Sequence, residues 1–150
     1  MSNYRNRPKG DYLRDAKWQD LHELTDEWQG DLEFQLYEID FLDSLIDTYF
    51  VKLLVQENLD ELRELQIDLY KAKTQSEKLL ERINKHLNHI GELLSKSSKI
   101  DDLVFRFEHE RLEDDISQFM ANQKVTKFTV LKMTKDVLEN EKPNFIWKYN

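Results

Sequence analysis

Cysteine is absent from the 150-residue chain. That removes disulfides, thiolate nucleophiles and cysteine-ligated zinc from consideration, and it fits a reducing compartment. Glycine and proline are almost as scarce, at three and two residues. Neither occurs between Gly30 and Gly91. Tight sheet turns draw on Gly, Pro and Asn-Gly pairs, so hairpins are not expected over that stretch. Phosphate cradles need clustered glycines that bare backbone N–H groups. Gly10, Gly30 and Gly91 lie far apart, which excludes P-loop and dinucleotide sites. The Gly-x-Ser-x-Gly elbow of common serine hydrolases is missing too. No uncharged apolar run approaches the ~20 residues that span a bilayer, and residues 1–15 carry no apolar signal-peptide core. The expectation is a cytoplasmic protein without membrane insertion.

What the chain does have is charge: 35% of its residues, for a net of −8. Residues 1–10 hold Arg5, Arg7 and Lys9 and no acid. Residues 11–60 hold fourteen acids against Arg14, Lys17 and Lys52. An acidic surface repels phosphate backbones, so no nucleic-acid partner is expected. The basic segment 1–12 reads as a flexible solubilising arm.

The apolar residues repeat at helical spacing. Leu21, Trp28, Leu32, Ile39, Leu42, Ile46, Tyr49 and Leu53 follow steps of three and four once Thr25 and Gln35 are included, which is a coiled-coil seam. Leu24, Phe34, Phe41 and Leu45 widen that face, so the helix should meet two neighbours. Gly30 marks a kink or a close helix contact. Asn58, with Glu61 three residues on, has the form of a helix N-cap and suggests a reversal near 56–59. A second helix follows, with the stripe Leu62, Leu69, Leu80, Ile83, Leu87, Ile90 and Leu94, interrupted by Lys73 and Ser76. Residues 95–99 read as a loop, and Ser98 with Asp101 as a capping box. A third stripe runs through Phe105, Leu112, Ile116, Phe119, Val130, Met133 and Val137, and Pro143 should end that helix. The predicted fold is all-α: one domain, a long antiparallel three-helix bundle with coiled-coil-like packing. Its helices should span about 13–56, 59–95 and 99–140, with an apolar tail at 143–150. The acids Asp31, Glu33, Asp40, Asp43 and Asp47 should then lie beside Lys71, Lys73, Lys78, Arg82 and Lys85. Lys124, Lys127, Lys132 and Lys135 should border the same length.

Candidates for chemistry are few. Bundle di-iron sites use Glu-x-x-His, and none of His22, His86, His89 and His109 has Glu three residues before it. His86 and His89 share a helix face and read as solvent-exposed. His109 falls on the third stripe and reads as a hydrogen-bonded core residue. Asp101-Asp102 and Asp114-Asp115 point about 100° apart on a helix and do not converge. Thr25, Gln35, Gln66, Lys73, Ser76, Gln123 and Thr126 read as polar layers that fix register. The sequence implies no catalytic residue, no metal and no cofactor.

The early Trp in the first of three long helices resembles a spectrin-type repeat. Here there is a single unit with longer helices, and no function is carried over. The stretch from Trp28 to Phe50, with Glu33, Phe34, Glu38 and Phe41, looks like uncharacterised coiled-coil proteins of bacterial genomes. Apolar surface on the first helix exceeds what two neighbours cover. The expected function is therefore non-enzymatic: an interaction or scaffold protein that self-associates, as a homodimer for instance, or binds a partner helix. Its candidate contact residues are Phe34, Tyr37 and Phe41, with Phe145, Ile146, Trp147 and Tyr149 of the tail. The alternative is a small-molecule- or metal-binding bundle using His86 and His89, or His109, with neighbouring acids.

Overall fold

The computed structural model describes residues 16–95 and 102–149, with side chains described for 16–95 and 103–140. Three helices account for almost all of it: α1 (Trp18–Gln56), α2 (Leu59–Leu94) and α3 (Asp102–Tyr149). No strand occurs among the described residues. The all-α three-helix expectation holds. The arm at 1–12 and the Ser98–Asp101 capping box lie outside the described residues.

The helices contribute to two compact units. The first takes residues up to Leu36 and Gln75–Ala121, and the second takes Tyr37–Thr74 and the residues from Asn122 onward. Each unit is a three-helix packing in its own right. In the first, Leu21 of α1, Ile90 of α2 and Phe105 of α3 form one buried cluster. In the second, Leu53, Leu62 and Val137 do the same, with Tyr49, Phe50 and Met133 packed against them. Within the second unit Lys73 meets Asp40 at 3.6 Å and Gln66 donates to Asp47 at 3.5 Å, so α2 runs against α1.

Helix ends follow local chemistry. The Asn58 side chain accepts from the Asp60 amide at 2.7 Å, while its carbonyl accepts from the Leu62 amide at 3.1 Å. This is an N-cap, and it puts the reversal where the sequence placed it. The start of α1 is later than 13. The Lys17 carbonyl takes the first helical bond, from the Leu21 amide, and the Ala16 carbonyl is held by the Arg106 guanidinium at 2.9 Å. Pro143 does not end α3, which continues to Tyr149. A proline removes one i→i−4 bond and crowds one carbonyl, but its own φ is helical. The apolar segment at 143–149 is therefore helix in backbone, and the side chains of Phe145, Ile146, Trp147 and Tyr149 lie outside the described ones.

Gly30 is neither a kink nor a close contact. An added Cβ would meet nothing within 4 Å, and the non-helical backbone of α1 is at Tyr49 (φ −106°, ψ 15°). The seam of α1 is buried as read, Thr25 and Gln35 included, except that Tyr49 is half-buried. Of the widening set, Leu24 and Leu45 are half-buried, whereas Phe34 and Phe41 are exposed. In α2 the buried positions are Leu62, Leu65, Leu69, Ala72, Ser76, Leu79, Ile83, His86 and Ile90. That is an unbroken alternation of three and four. Ala72, not Lys73, occupies the seam, and Leu94 is 40% exposed. Among the expected charge neighbours, Lys127 does border the acidic length of α1, through Glu38, whereas Arg82 pairs instead with Asp115 of α3 at 2.7 Å.

Candidate functional site

The first unit buries two imidazoles against each other. The α2 lattice brings His86 inward, and the α3 seam does the same for His109. They are 5% and 1% exposed. Their facing nitrogens, His86 Nε2 and His109 Nδ1, are 2.6 Å apart, so one ring N–H donates to the other ring's lone pair. Aromatic rings close over the pair. Phe105 stacks on His86 with centroids 4.4 Å apart and planes 6° apart, and Trp28 stacks on His109 at 4.8 Å. Trp18 meets Phe105 edge-on at 5.3 Å, and the Arg106 guanidinium lies 4.2 Å above the Trp18 ring. Burial holds His86 down to about 4, helped by His89 and then Arg82. His86 is thus neutral at pH 7, and a single proton lies between the two facing nitrogens.

This corrects the expectation that His86 and His89 sit together in solvent: His86 is core, and His89 is half-buried at the rim. His109 is the hydrogen-bonded core histidine that its stripe implied. The pair's geometry suits a proton better than a metal. Two nitrogens on one tetrahedral zinc, at ~2.0–2.1 Å each, stand roughly 3.3 Å apart. Among the described residues no group of three His, Asp or Glu converges on a common point. A groove of about 390 Å³ opens beside His86, lined by His89, Arg82, Lys85, Arg111, Glu108 and Asp115. Its cations and acids are mixed, and Arg82 is already engaged by Asp115.

The second candidate is a surface. On α1, Phe34, Tyr37, Phe41, Val51 and Val55 are 57%, 74%, 54%, 77% and 86% exposed. With Ser44 and Thr48, both exposed, they form a second seam of alternating three- and four-residue steps. From Tyr37 to Thr48 it lies roughly 180° around the helix from Ile39, Leu42 and Ile46, at 3.6 residues per turn. It contains no charged residue. The Ser44 hydroxyl turns back to the Asp40 carbonyl at 2.9 Å, which leaves the outer face apolar. Sequence reasoning named the first three of these residues and missed the rest, because valine, serine and threonine give little signal singly. Their heptad spacing was the signal available.

No helix among the described residues is long and apolar enough to cross a membrane. Comparison with protein-family models, with curated proteins and with solved structures finds no match to this chain.

Proposed function

We propose that this is a non-enzymatic interaction protein whose contact surface is the outer face of α1. One observation carries the reading: between Phe34 and Thr48 the side of α1 turned away from the core carries an uncharged, largely apolar seam in a chain that is 35% charged. The solvent face of an amphipathic helix ordinarily carries charge. An apolar seam at coiled-coil spacing is the form of surface that another helix covers. Phe34, Tyr37 and Phe41 supply its aromatic anchors, the residue type enriched at interface centres.

The test is a photo-crosslinking residue at position 37, compared with one at exposed Glu81 of α2, in an extract of the source organism. Discrete adducts from position 37, with only diffuse background from position 81, are expected. Equal labelling at both positions would sink the reading.

A further inference from the structure

The outer face of α1 has its chemical complement on the same protein. In the second unit, Tyr37, Phe41, Ser44, Thr48 and Val51 of α1 are bordered by Asp40, Asp43 and Asp47, on the side where Lys73 and Gln66 of α2 approach. On α2, Ile67 and Tyr70 are 52% and 73% exposed. On the flank nearest α1 they are bordered by the cations Arg63 and Lys73, and on the far flank by Lys71 and Glu64. Arg63, Gln66, Ile67 and Tyr70 together shape an open depression of about 400 Å³. One helix thus offers an apolar seam with an acidic border, and its neighbour offers an apolar stripe with a basic one.

Within one copy the acids are incompletely offset. The Asp43 carboxyl is held above its ordinary range by burial first, then by Asp47 and Asp40, with Lys73 opposing. A cation arriving from outside would relieve that crowding. The Lys73–Asp40 and Gln66–Asp47 contacts set the register of the two helices, and Arg63, one turn before Gln66 and in the same depression, shares that flank.

We propose that the occupant of this face is a second copy of the chain, with α1 of each copy lying on α2 of the other about a two-fold axis parallel to the helices. The proposal rests on the reading of the α1 face as a contact surface and names its partner. Rotation about such an axis keeps every residue at its own height and keeps the α1-facing flank of α2 on the same side as the acidic flank of α1, so Asp47 of one copy lies within a helical turn of Arg63 of the partner subunit. The contact is self-complementary and closes at two copies. Pairing α1 with α1 would instead set Asp40, Asp43 and Asp47 against the same three carboxylates, and like charges across an interface select against that arrangement.

Sedimentation velocity of the full chain, from about 1 to 100 µM, tests it. Wild type should be dimeric at the upper end. Asp47→Lys alone and Arg63→Glu alone should each weaken association by about tenfold or more, because each sets two like charges face to face. An equimolar mixture of the two variants should associate as wild type does: the reversed charges meet across one contact, and the other contact keeps its native pair. Both positions are exposed, and unchanged helical circular dichroism confirms that the variants fold. A monomer throughout the range overturns the proposal. So does an Arg63→Glu variant that dimerises normally, which would place α1 on α1. A monomeric chain that still crosslinks another protein from position 37 removes the second copy as occupant and leaves the contact surface standing.

Discussion

The two units solve the same packing problem with opposite distributions of polarity. The first buries Thr25, Gln35, Ser76, His86, His109 and Glu113, and fills the space around its imidazoles with Trp28 and Phe105. The second has a more aliphatic interior, with Ile39, Leu42, Ile46, Leu53, Leu62, Leu69 and Val130, and among the described residues it buries only Gln123 and Thr134 of the polar ones. Outside, the contrast reverses. Among the described residues, most of the exposed large apolar side chains belong to the second unit, Tyr37, Phe41, Val51, Val55, Ile67, Tyr70 and Phe128 among them. Buried polar groups must be satisfied and so admit few registers. Aliphatic seams are more permissive in register, while apolar surface drives association. The first unit holds its specificity inside, and the second presents its own outside.

The largest expected effect tests the interior of the first unit. Trp28 is 0% exposed and stacks on His109. Trp28→Ala should cost about 3–5 kcal/mol, the range for large aromatic truncations that leave a cavity. Urea denaturation followed by circular dichroism measures it. A cost near 1 kcal/mol would show that this core collapses around the gap, and the contrast between the units would lose its basis.

The next effect is pH. His86 is lowered from 6.5 to about 4, so between those values the unfolded chain binds the proton that the folded chain refuses. Stability is therefore full above about pH 6.5 and is lost as pH falls toward 4, by up to about 3 kcal/mol. Carboxylates elsewhere also titrate toward the acid end. The measurement is accordingly the difference between wild type and His86→Gln, which can still bond to His109 and does not titrate. The variant should lack this part of the acid loss. Parallel acid profiles would mean that the imidazole pair is not what makes the first unit acid-sensitive.

How much of this was legible depends on the helix. The α1 seam was readable at every position but Tyr49, because Leu, Trp and Ile occupy most of its positions and Thr25 and Gln35 fall on the same lattice; Tyr49 is half-buried where the backbone departs from helical angles. In α2 two seams share Leu62, Leu69, Ser76, Ile83 and Ile90. One continues through Lys73, Leu80 and Leu87, the other through Ala72, Leu79 and His86. Hydropathy favours the first at Leu87 over His86, and the adjacent Leu79-Leu80 pair does not decide between them. Lys73 against Ala72 does decide: a lysine in a seam is the anomaly, and following Ala72 leads directly to His86. The pairing of His86 with His109 needed more than any single helix holds. It depends on the relative register of α2 and α3, which intrahelical periodicity does not encode. Pro143 misled because a strong local breaker was taken as absolute.

A smaller effect separates packing from backbone propensity in the first unit. Gly30 is exposed, helical in conformation, and open to an added Cβ. Gly30→Ala should stabilise by about 1 kcal/mol, seen as a rise in the urea midpoint with unchanged slope. A destabilisation would mean that Gly30 serves a contact formed outside one isolated chain.

The smallest expected effect is also the one that sharpens the contrast most. Tyr37 opens the outer seam of the second unit and is 74% exposed. In the monomer its ring contributes little burial, and alanine is the better helix former. Tyr37→Ala should therefore shift monomer stability by no more than about 0.5 kcal/mol in either direction, measured by urea denaturation at concentrations too low for association. At high concentration the same substitution should weaken self-association, because an aromatic anchor is missing from the apolar seam. The two readouts separate the roles cleanly. A ring that served the fold would lower the unfolding midpoint at every concentration, and one that served the interface would lower it only where dimer is present. A concentration-independent loss above about 1 kcal/mol would assign Tyr37 to the interior economy of its unit, and the outward polarity contrast would then rest on the remaining residues of the seam.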